Sequence, residues 1–251
     1  MTLSQVQVDF FAQNGYLPYG ALLNSSEIEL LREQYDLEFE KARESGNYRN
    51  LAVGDQVDAE TKNSAPQQML QILQMGEKNI HFRRLAYDSR LLDLVQDLLG
   101  PNIMLFHDQA LSKPARTGGP VFWHQDNAYW RCVPANLLSC WLTLDDVRRE
   151  NGAMHLIPGS HLQPMRHEKS DSTDALLDLG KQVDDSKAVV VDLPAGGCMF
   201  HHCQTLHYTP PNRTDGPRRA FAIHYMTPGT RNGQGDVIHV SFSNPMLRMA
   251  I

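Results

Sequence analysis

This sequence has no cysteine pairing pattern. Four of its 251 residues are cysteine (Cys132, Cys140, Cys198 and Cys203), and no two have the C-x-x-C spacing. That argues against a disulfide-stapled secreted scaffold and makes a reducing cytoplasm the expected compartment. Cys198 and Cys203 flank a double histidine in CMFHHC, where a zinc site is conceivable. The apolar neighbours read better as a buried strand in which cysteine serves as a small hydrophobe. Runs of basic residues are missing too: 23 Lys and Arg face 29 Asp and Glu, for a formal net charge of -6. Neither a nucleic acid nor an anionic membrane surface is expected as a partner. The opening residues, MTLSQVQVDFFAQNGY, have no basic stretch and no long apolar run, so no signal peptide or membrane helix is expected. Internal repeats and low-complexity tracts are also lacking.

Hydrophobic residues make up 41% of the chain, enough for a sizeable core at a length that β-barrels often reach as one domain. We expect a single domain, 1–251. The first hundred residues read as helical. Ser26 and Glu29 have capping-box spacing, with Leu30, Leu31, Tyr35 and Phe39 following at helical intervals and Gly46 just past the end. Arg90 to Leu99 reads as a second helix, with Ser89 at its start and Gly100-Pro101 at its end. After Pro101, short apolar runs (IMLFHDQAL, NLLSCWLTL, AMHLIP, AVVVDL, CMFHH, RRAFAIHY) alternate with Gly, Pro and Asn turns. That is the pattern of an antiparallel barrel or jelly roll. The expected fold is therefore mainly β, with outer α-helices from residues 1–100 packed on a β-core over 101–226. Residues 165–187, MRHEKSDSTDALLDLGKQVDDSK, form a polar, acidic interruption of lid-like length. It carries Asp171, Asp174, Asp178, Asp184 and Asp185. Leu176, Leu177 and Leu179 are its apolar cluster, expected to close as a short helix.

A two-histidine, one-carboxylate site suits non-haem iron(II), with one face left open for further ligands. His124-Gln125-Asp126 offers two such ligands from one side of an extended backbone. Chance alone supplies roughly one H-x-D in a chain of this composition, so the context carries the reading. Tyr129 and Trp130 follow closely, and Lys113-Pro114 ends a strand upstream. His201, His202, His207 and His224 all compete as third ligand. The residues after His207 favour it: Asn212, Asp215 and Gly216 build a turn, and a strand resumes at Arg218. This reads as a hairpin placing His207 and Arg218 on adjacent strands. Arg218 and Arg219 must face opposite ways on a strand, one inward and one to solvent. Arg218 shares its face with Ala220, Ala222 and His224, which leaves room for a ligand. An arginine there can grip a carboxylate in bidentate fashion.

These residues resemble the phytanoyl-CoA dioxygenase family. The match runs in order through NGYL (14–17), LLGPNIM (98–104), KP (113–114), WHQD (123–126), Trp141, NGAMHLIPGSH (151–161), AGGCMFHHCQTLHYTPPN (195–212) and RTDGPRRA (213–220). The resemblance implies a double-stranded β-helix (a cupin-like jelly roll) and a non-haem iron(II)- and 2-oxoglutarate-dependent dioxygenase using O₂. It implies His124, Asp126 and His207 as iron ligands and Arg218 as the partner of 2-oxoglutarate. Trp141 and Gln109 are further implied cosubstrate contacts, with Gln71 or Gln74 as another and His161 as structural. The presence of Asp126 favours hydroxylation over halogenation, which in related enzymes goes with a Gly or Ala there. The alternatives are another cupin-type metal enzyme, such as an isomerase or hydrolase, and a non-catalytic ligand-binding barrel. The substrate is expected to be a small molecule, with Tyr129, Trp130 and His107 lining its pocket. Substitution of His201 or His202 is expected to be mild.

Overall fold

The computed structural model describes residues 2–53, 57–169, 177–179 and 182–250. Its helices are α1 (Gln5–Asn14), α2 (Ser25–Ser45), α3 (Ala59–Ser64), α4 (Met75–Lys78), α5 (Ile80–Ala86), α6 (Ser89–Leu99) and α7 (Asn127–Trp130). Its first seven strands are β1 (Tyr16–Ala21), β2 (Arg49–Asn50), β3 (Leu70–Leu73), β4 (Ile103–Lys113), β5 (Val121–His124), β6 (Leu138–Thr143) and β7 (Met154–Leu156). The remainder are β8 (Glu168–Lys169), β9 (Leu177–Asp178), β10 (Val189–Val191), β11 (Gly197–His202), β12 (His207–Thr209), β13 (Arg218–Met226) and β14 (Met246–Arg248).

Helix α2 forms because Ile28, Leu31, Tyr35, Phe39 and Ala42 recur at three- and four-residue steps and bury one stripe. Its cap lies two residues before the expected one. Asn24 accepts from the Glu27 backbone N–H and Glu27 reciprocates, so Asn24 and Glu27, not Ser26 and Glu29, close the capping box. Leu30, expected in the stripe, is 40% exposed. Helix α6 likewise starts one residue early: Asp88, not Ser89, accepts from the Arg90 N–H. Its buried face is Leu91, Leu92, Leu94 and Val95.

Two antiparallel sheets form the jelly roll. The larger runs β1-β11-β6-β13-β4-β3-β2, with β14 also on β4, and the smaller runs β10-β7-β12-β5. The large sheet thus reaches beyond 101–226 on both sides. Three of its strands come from the first hundred residues, which are therefore not wholly helical. Strand β1 tolerates Pro18 because it lies at the sheet edge. Central strand β13 shows how the layers separate. Phe221, Ile223 and Tyr225 join the core beneath the helices, where Phe82 of α5 meets Phe221 edge-on at 4.9 Å. Ala220 and Ala222 point the other way, into the space between the sheets, beside Trp141, Met154 and Leu156.

The expected hairpin after His207 does not form. Strand β12 belongs to the small sheet, paired with β5 and β7, whereas β13 pairs with β4 and β6 in the large one. His207 and Arg218 therefore face each other across the sandwich. Pro210, Pro211 and Pro217 supply no N–H at the points where a hairpin ladder would continue, so the chain crosses between sheets. In the 165–187 segment, β9 pairs with β8, so Leu177–Asp178 is a short strand and not the expected helix. Leu179 is buried; Asp171, Asp174 and Leu176 lie outside the described residues. Among the described residues no helix is long and apolar enough to cross a membrane.

Candidate active site

Strand β5 ends at His124, the chain turns into α7 at Asp126, and His207 opens β12 directly opposite His124 in the ladder. This brings one donor atom from each residue to within 4.8 Å of the others. Asp126 Oδ1 lies 3.6 Å from both His124 Nε2 and His207 Nε2. Two ligand atoms about 2.1 Å from one ion, at right angles, sit roughly 3 Å apart, so small side-chain shifts would seat a metal here.

The imidazoles are preset for that task. His124 Nδ1 donates to the Phe122 carbonyl at 2.7 Å, and His207 Nδ1 to the Thr205 carbonyl at 2.9 Å. A carbonyl only accepts, so the proton sits on Nδ1 and the Nε2 lone pair is free. Burial pushes the His207 pKa well below its usual value, which keeps the ring neutral. Burial opposes ionisation of Asp126. Its carboxyl is nonetheless held well below the usual range, with the hydrogen bond from His201 Nε2 among the causes.

The competing histidines take other places. His224 Nδ1 lies 2.7 Å from Ser139 Oγ, and its Nε2 lies 3.1 Å from Gln109 Nε2. His202 packs near His161 at 5.5 Å. His161, whose Nε2 lies 3.2 Å from the Ala12 carbonyl, fits against Gly15, where φ is 78° and an added Cβ would collide with the His161 ring. His201 is buried, with Nε2 3.0 Å from Asp126 Oδ2.

An inner cavity runs from the triad to Arg218 at its deep end, lined also by Trp141, Gln71, Gln109, Thr209 and Ala222. Arg218 is 1% exposed, and its Nε has no hydrogen-bond partner. Nη1 makes one long contact, 3.4 Å, with the Leu111 carbonyl. The Trp141 ring lies 5.4 Å from the guanidinium carbon. Burial pushes the Arg218 pKa down to about 10, so the group stays charged at neutral pH. Directly across the ladder stands Lys113, fully buried, with its pKa pushed well below the usual lysine range by burial and by Arg218. Thr209 Oγ1, facing the same cavity, is buried and unpartnered too. A buried guanidinium with an unpartnered Nε and an orphan hydroxyl on the same cavity form a setting that calls for an anion.

Thr209 carries no motif that would single it out in the sequence, although it lies two residues beyond His207 on the same strand. Lys113 is more than the strand end its sequence position suggests. Its ammonium donates to the carbonyls of Gly119, Thr209 and Pro210 at 2.7, 3.0 and 2.6 Å. Lys113→Met strands those acceptors, each costing about 1–3 kcal/mol. We expect it to lower unfolding free energy by at least about 3 kcal/mol in urea titration; a loss below about 1 kcal/mol would refute this bracing role.

Arg219 does not simply face solvent. It holds Asp145 with Nε and Nη2 at 3.0 and 2.9 Å, and Asp36 of α2 with Nη1 at 2.7 Å.

An outer cavity meets the inner one at His124 and Asp126, and Tyr129, Trp130 and His107 line it together with Arg49 and Leu73. Gln71 lines both cavities. Gln74 lines neither: it starts α4 at φ 54° and its side chain donates to Glu77 at 3.3 Å. His107 stacks on His224 at 5.6 Å, and burial lowers its pKa to about 4. The Tyr129 hydroxyl accepts from the Leu177 N–H at 2.8 Å, tying β9 to the site.

Gln125, between His124 and Asp126, points away from the triad. Its backbone N–H donates to His167 Nε2 at 2.8 Å, and its Oε1 accepts from the Met165 N–H at 2.8 Å. Its Nε2 donates to the Gln163 and Gln204 carbonyls at 2.9 and 2.7 Å. One residue thus joins the H-x-D turn, the root of the 165–187 segment and the turn before His207.

The phytanoyl-CoA dioxygenase family profile matches residues 11–220. The chain is 28% identical over 234 residues to the peroxisomal phytanoyl-CoA dioxygenase of Homo sapiens, covering 89% of this chain and 68% of that one. Among solved structures it is similar to EvdO2 from Micromonospora carbonacea var. aurantiaca complexed with 2-oxoglutarate. That match has 28% identity and TM-score 0.67, covering 90% of this chain and 92% of that one. It is also similar to SnoN, a non-heme alpha ketoglutarate dependent epimerase from nogalamycin biosynthesis, at 25% identity and TM-score 0.76, covering 98% of both chains. With a jelly roll and a His-Asp-His cluster at its centre, the chain belongs to the phytanoyl-CoA dioxygenase family of iron- and 2-oxoglutarate-dependent oxygenases.

Proposed function

We propose that this chain hydroxylates a C–H bond of a small-molecule substrate, consuming 2-oxoglutarate and O₂ and releasing succinate and CO₂. Iron(II) is held by His124, Asp126 and His207. The observation that carries the reading is the deep end of the inner cavity: Arg218 is buried and charged, with its Nε unpartnered, and Thr209, its hydroxyl also unpartnered, lines the same cavity. A dicarboxylate cosubstrate fits there with its far carboxylate on Arg218 and Thr209 and its keto-acid end toward the triad. When bound, iron(II) and 2-oxoglutarate together activate O₂ for attack on the substrate.

The residues of this chain do the rest. His124 and His207 present neutral lone pairs, and Asp126 presents one negative charge. Trp141 and Ala222 shape the space around the guanidinium. Gln71 and Gln109 line the wall between cosubstrate and substrate. Tyr129, Trp130 and His107 receive the substrate in the outer cavity, on the open side of the triad. Asp126 favours hydroxylation over halogenation, because a carboxylate occupies the place a halide would need. SnoN, an epimerase, illustrates that this architecture supports more than one outcome, so product analysis belongs in the test.

Under anaerobic conditions, iron(II) and 2-oxoglutarate added together are expected to produce a weak visible charge-transfer band that neither gives alone. Admitting O₂ should then release succinate. A band absent with both present, or independent of 2-oxoglutarate, would favour an isomerase, a hydrolase or a non-catalytic barrel.

A further inference from the structure

We propose that His201 and Ser139 are positioning residues that hold Asp126 to a single metal-facing oxygen. Gln109 and His224 would orient the Ser139 hydroxyl from the cosubstrate cavity. This rests on the reading of Asp126 as an iron ligand.

The two oxygens of Asp126 have different surroundings. Oδ1 faces His124 and His207 at 3.6 Å each. Oδ2 faces away and meets two groups, His201 Nε2 at 3.0 Å and Ser139 Oγ at 3.2 Å. An ionised carboxylate only accepts, so both must donate. For Ser139 this fixes the chain behind it. Gln109 Nε2 only donates, so His224 Nε2 accepts from it at 3.1 Å. The His224 proton is then on Nδ1, which donates to Ser139 Oγ at 2.7 Å. The Ser139 hydroxyl proton remains for Asp126. Every bond points the same way, from an amide on the cosubstrate cavity to the carboxylate. His224 is buried, with its pKa lowered to about 3, so the ring is neutral and can occupy this place between a donor and an acceptor.

The plainer reading is that these are buried polar groups satisfying one another. His201 argues against it. It is 3% exposed, and its Nδ1 has no partner. As core filling, phenylalanine would avoid that orphaned nitrogen. Histidine at this position makes sense if the Nε2 bond to Asp126 is what matters. With both donors on Oδ2, the carboxylate cannot swing to offer both oxygens to one ion. It therefore leaves coordination positions for 2-oxoglutarate and O₂, as an iron oxygenase requires.

The test uses cobalt(II) as a stand-in ion, titrated into the unmodified chain and its variants, reading the dissociation constant and the visible d–d absorption. Ser139→Ala and His201→Phe are each expected to loosen cobalt(II) about tenfold, and the double variant about a hundredfold. The d–d spectrum should change as Oδ2 is released toward the ion. Ser139→Thr, which keeps the hydroxyl, should restore affinity and spectrum. A purely structural role would lower the melting temperature and leave the spectrum of the bound ion alone. If His201→Phe does not fold, Ser139→Ala, which removes one buried oxygen, decides by itself. Affinity and spectrum both unchanged in Ser139→Ala would overturn the proposal while leaving the metal site intact. Asp126→Ala binding cobalt(II) as tightly as the unmodified chain would instead remove the reading on which it stands.

Discussion

His124→Ala, Asp126→Ala and His207→Ala are each expected to cut substrate-dependent succinate release at least a thousandfold while the chain stays folded. Changes to groups that merely support metal ligands typically cost about 10–100-fold, and loss of one of three ligands must exceed that. The fold should survive because each residue sits at a strand end or turn and outside the apolar cluster beneath the helices. His202→Ala is the matched control, since His202 lies outside the triad and near His161. Far-ultraviolet circular dichroism checks folding, and metal analysis after desalting separates lost iron from lost chemistry. Full turnover in His207→Ala would mean that His201 or His224 supplies the third ligand. The expectation that His201 is as dispensable as His202 is revised by its contact with Asp126.

Arg218→Ala should raise the 2-oxoglutarate concentration needed for half-maximal uncoupled decarboxylation by roughly 30-fold to several thousand-fold. That range corresponds to the about 2–5 kcal/mol lost when one partner of a desolvated charge pair is removed. Arg219→Ala should leave that concentration unchanged. Its ion pairs with Asp145 and Asp36 sit on the helix side of the sheet, off the cavity that Arg218 lines, so what its deletion costs is stability and not cosubstrate affinity. Equal 2-oxoglutarate titrations for the two variants would show that the cosubstrate does not use the deep end of the inner cavity.

The difference between these neighbouring arginines is legible in the sequence. Strand alternation puts Arg218 with Ala220 and Ala222 and puts Arg219 with Phe221 and Ile223, and packing follows that division. The H-x-D pair and the jelly-roll class are equally accessible, because both depend on local spacing or on repeated strand length. Sheet membership is not. His207 and Arg218 are close in sequence, and a turn-rich link between them looks like a hairpin. That the link crosses between sheets depends on which strands flank β12, which no local pattern records. Helix starts fall one or two residues earlier than expected because two good caps stand close together, Asn24 near Ser26 and Asp88 next to Ser89. The donors on Asp126 Oδ2 are invisible for the same reason as the sheet crossing: Ser139 and His201 meet Asp126 only after β6 and β11 pair.

The position of Gln125 limits how modular this protein is. The segment that begins near residue 165 returns to the substrate side at Leu177, which is bonded to Tyr129. Exchanging such segments between relatives is an obvious way to alter substrate range. Yet Gln163, Met165 and His167 are bonded to Gln125, which also reaches the turn before His207. A transplant that begins upstream of Met165 would change the substrate side and the spacing of the triad together, and its effects on selectivity and on catalysis would be inseparable. A graft joined after His167 keeps that stitch and turns the span beyond it into an exchangeable module.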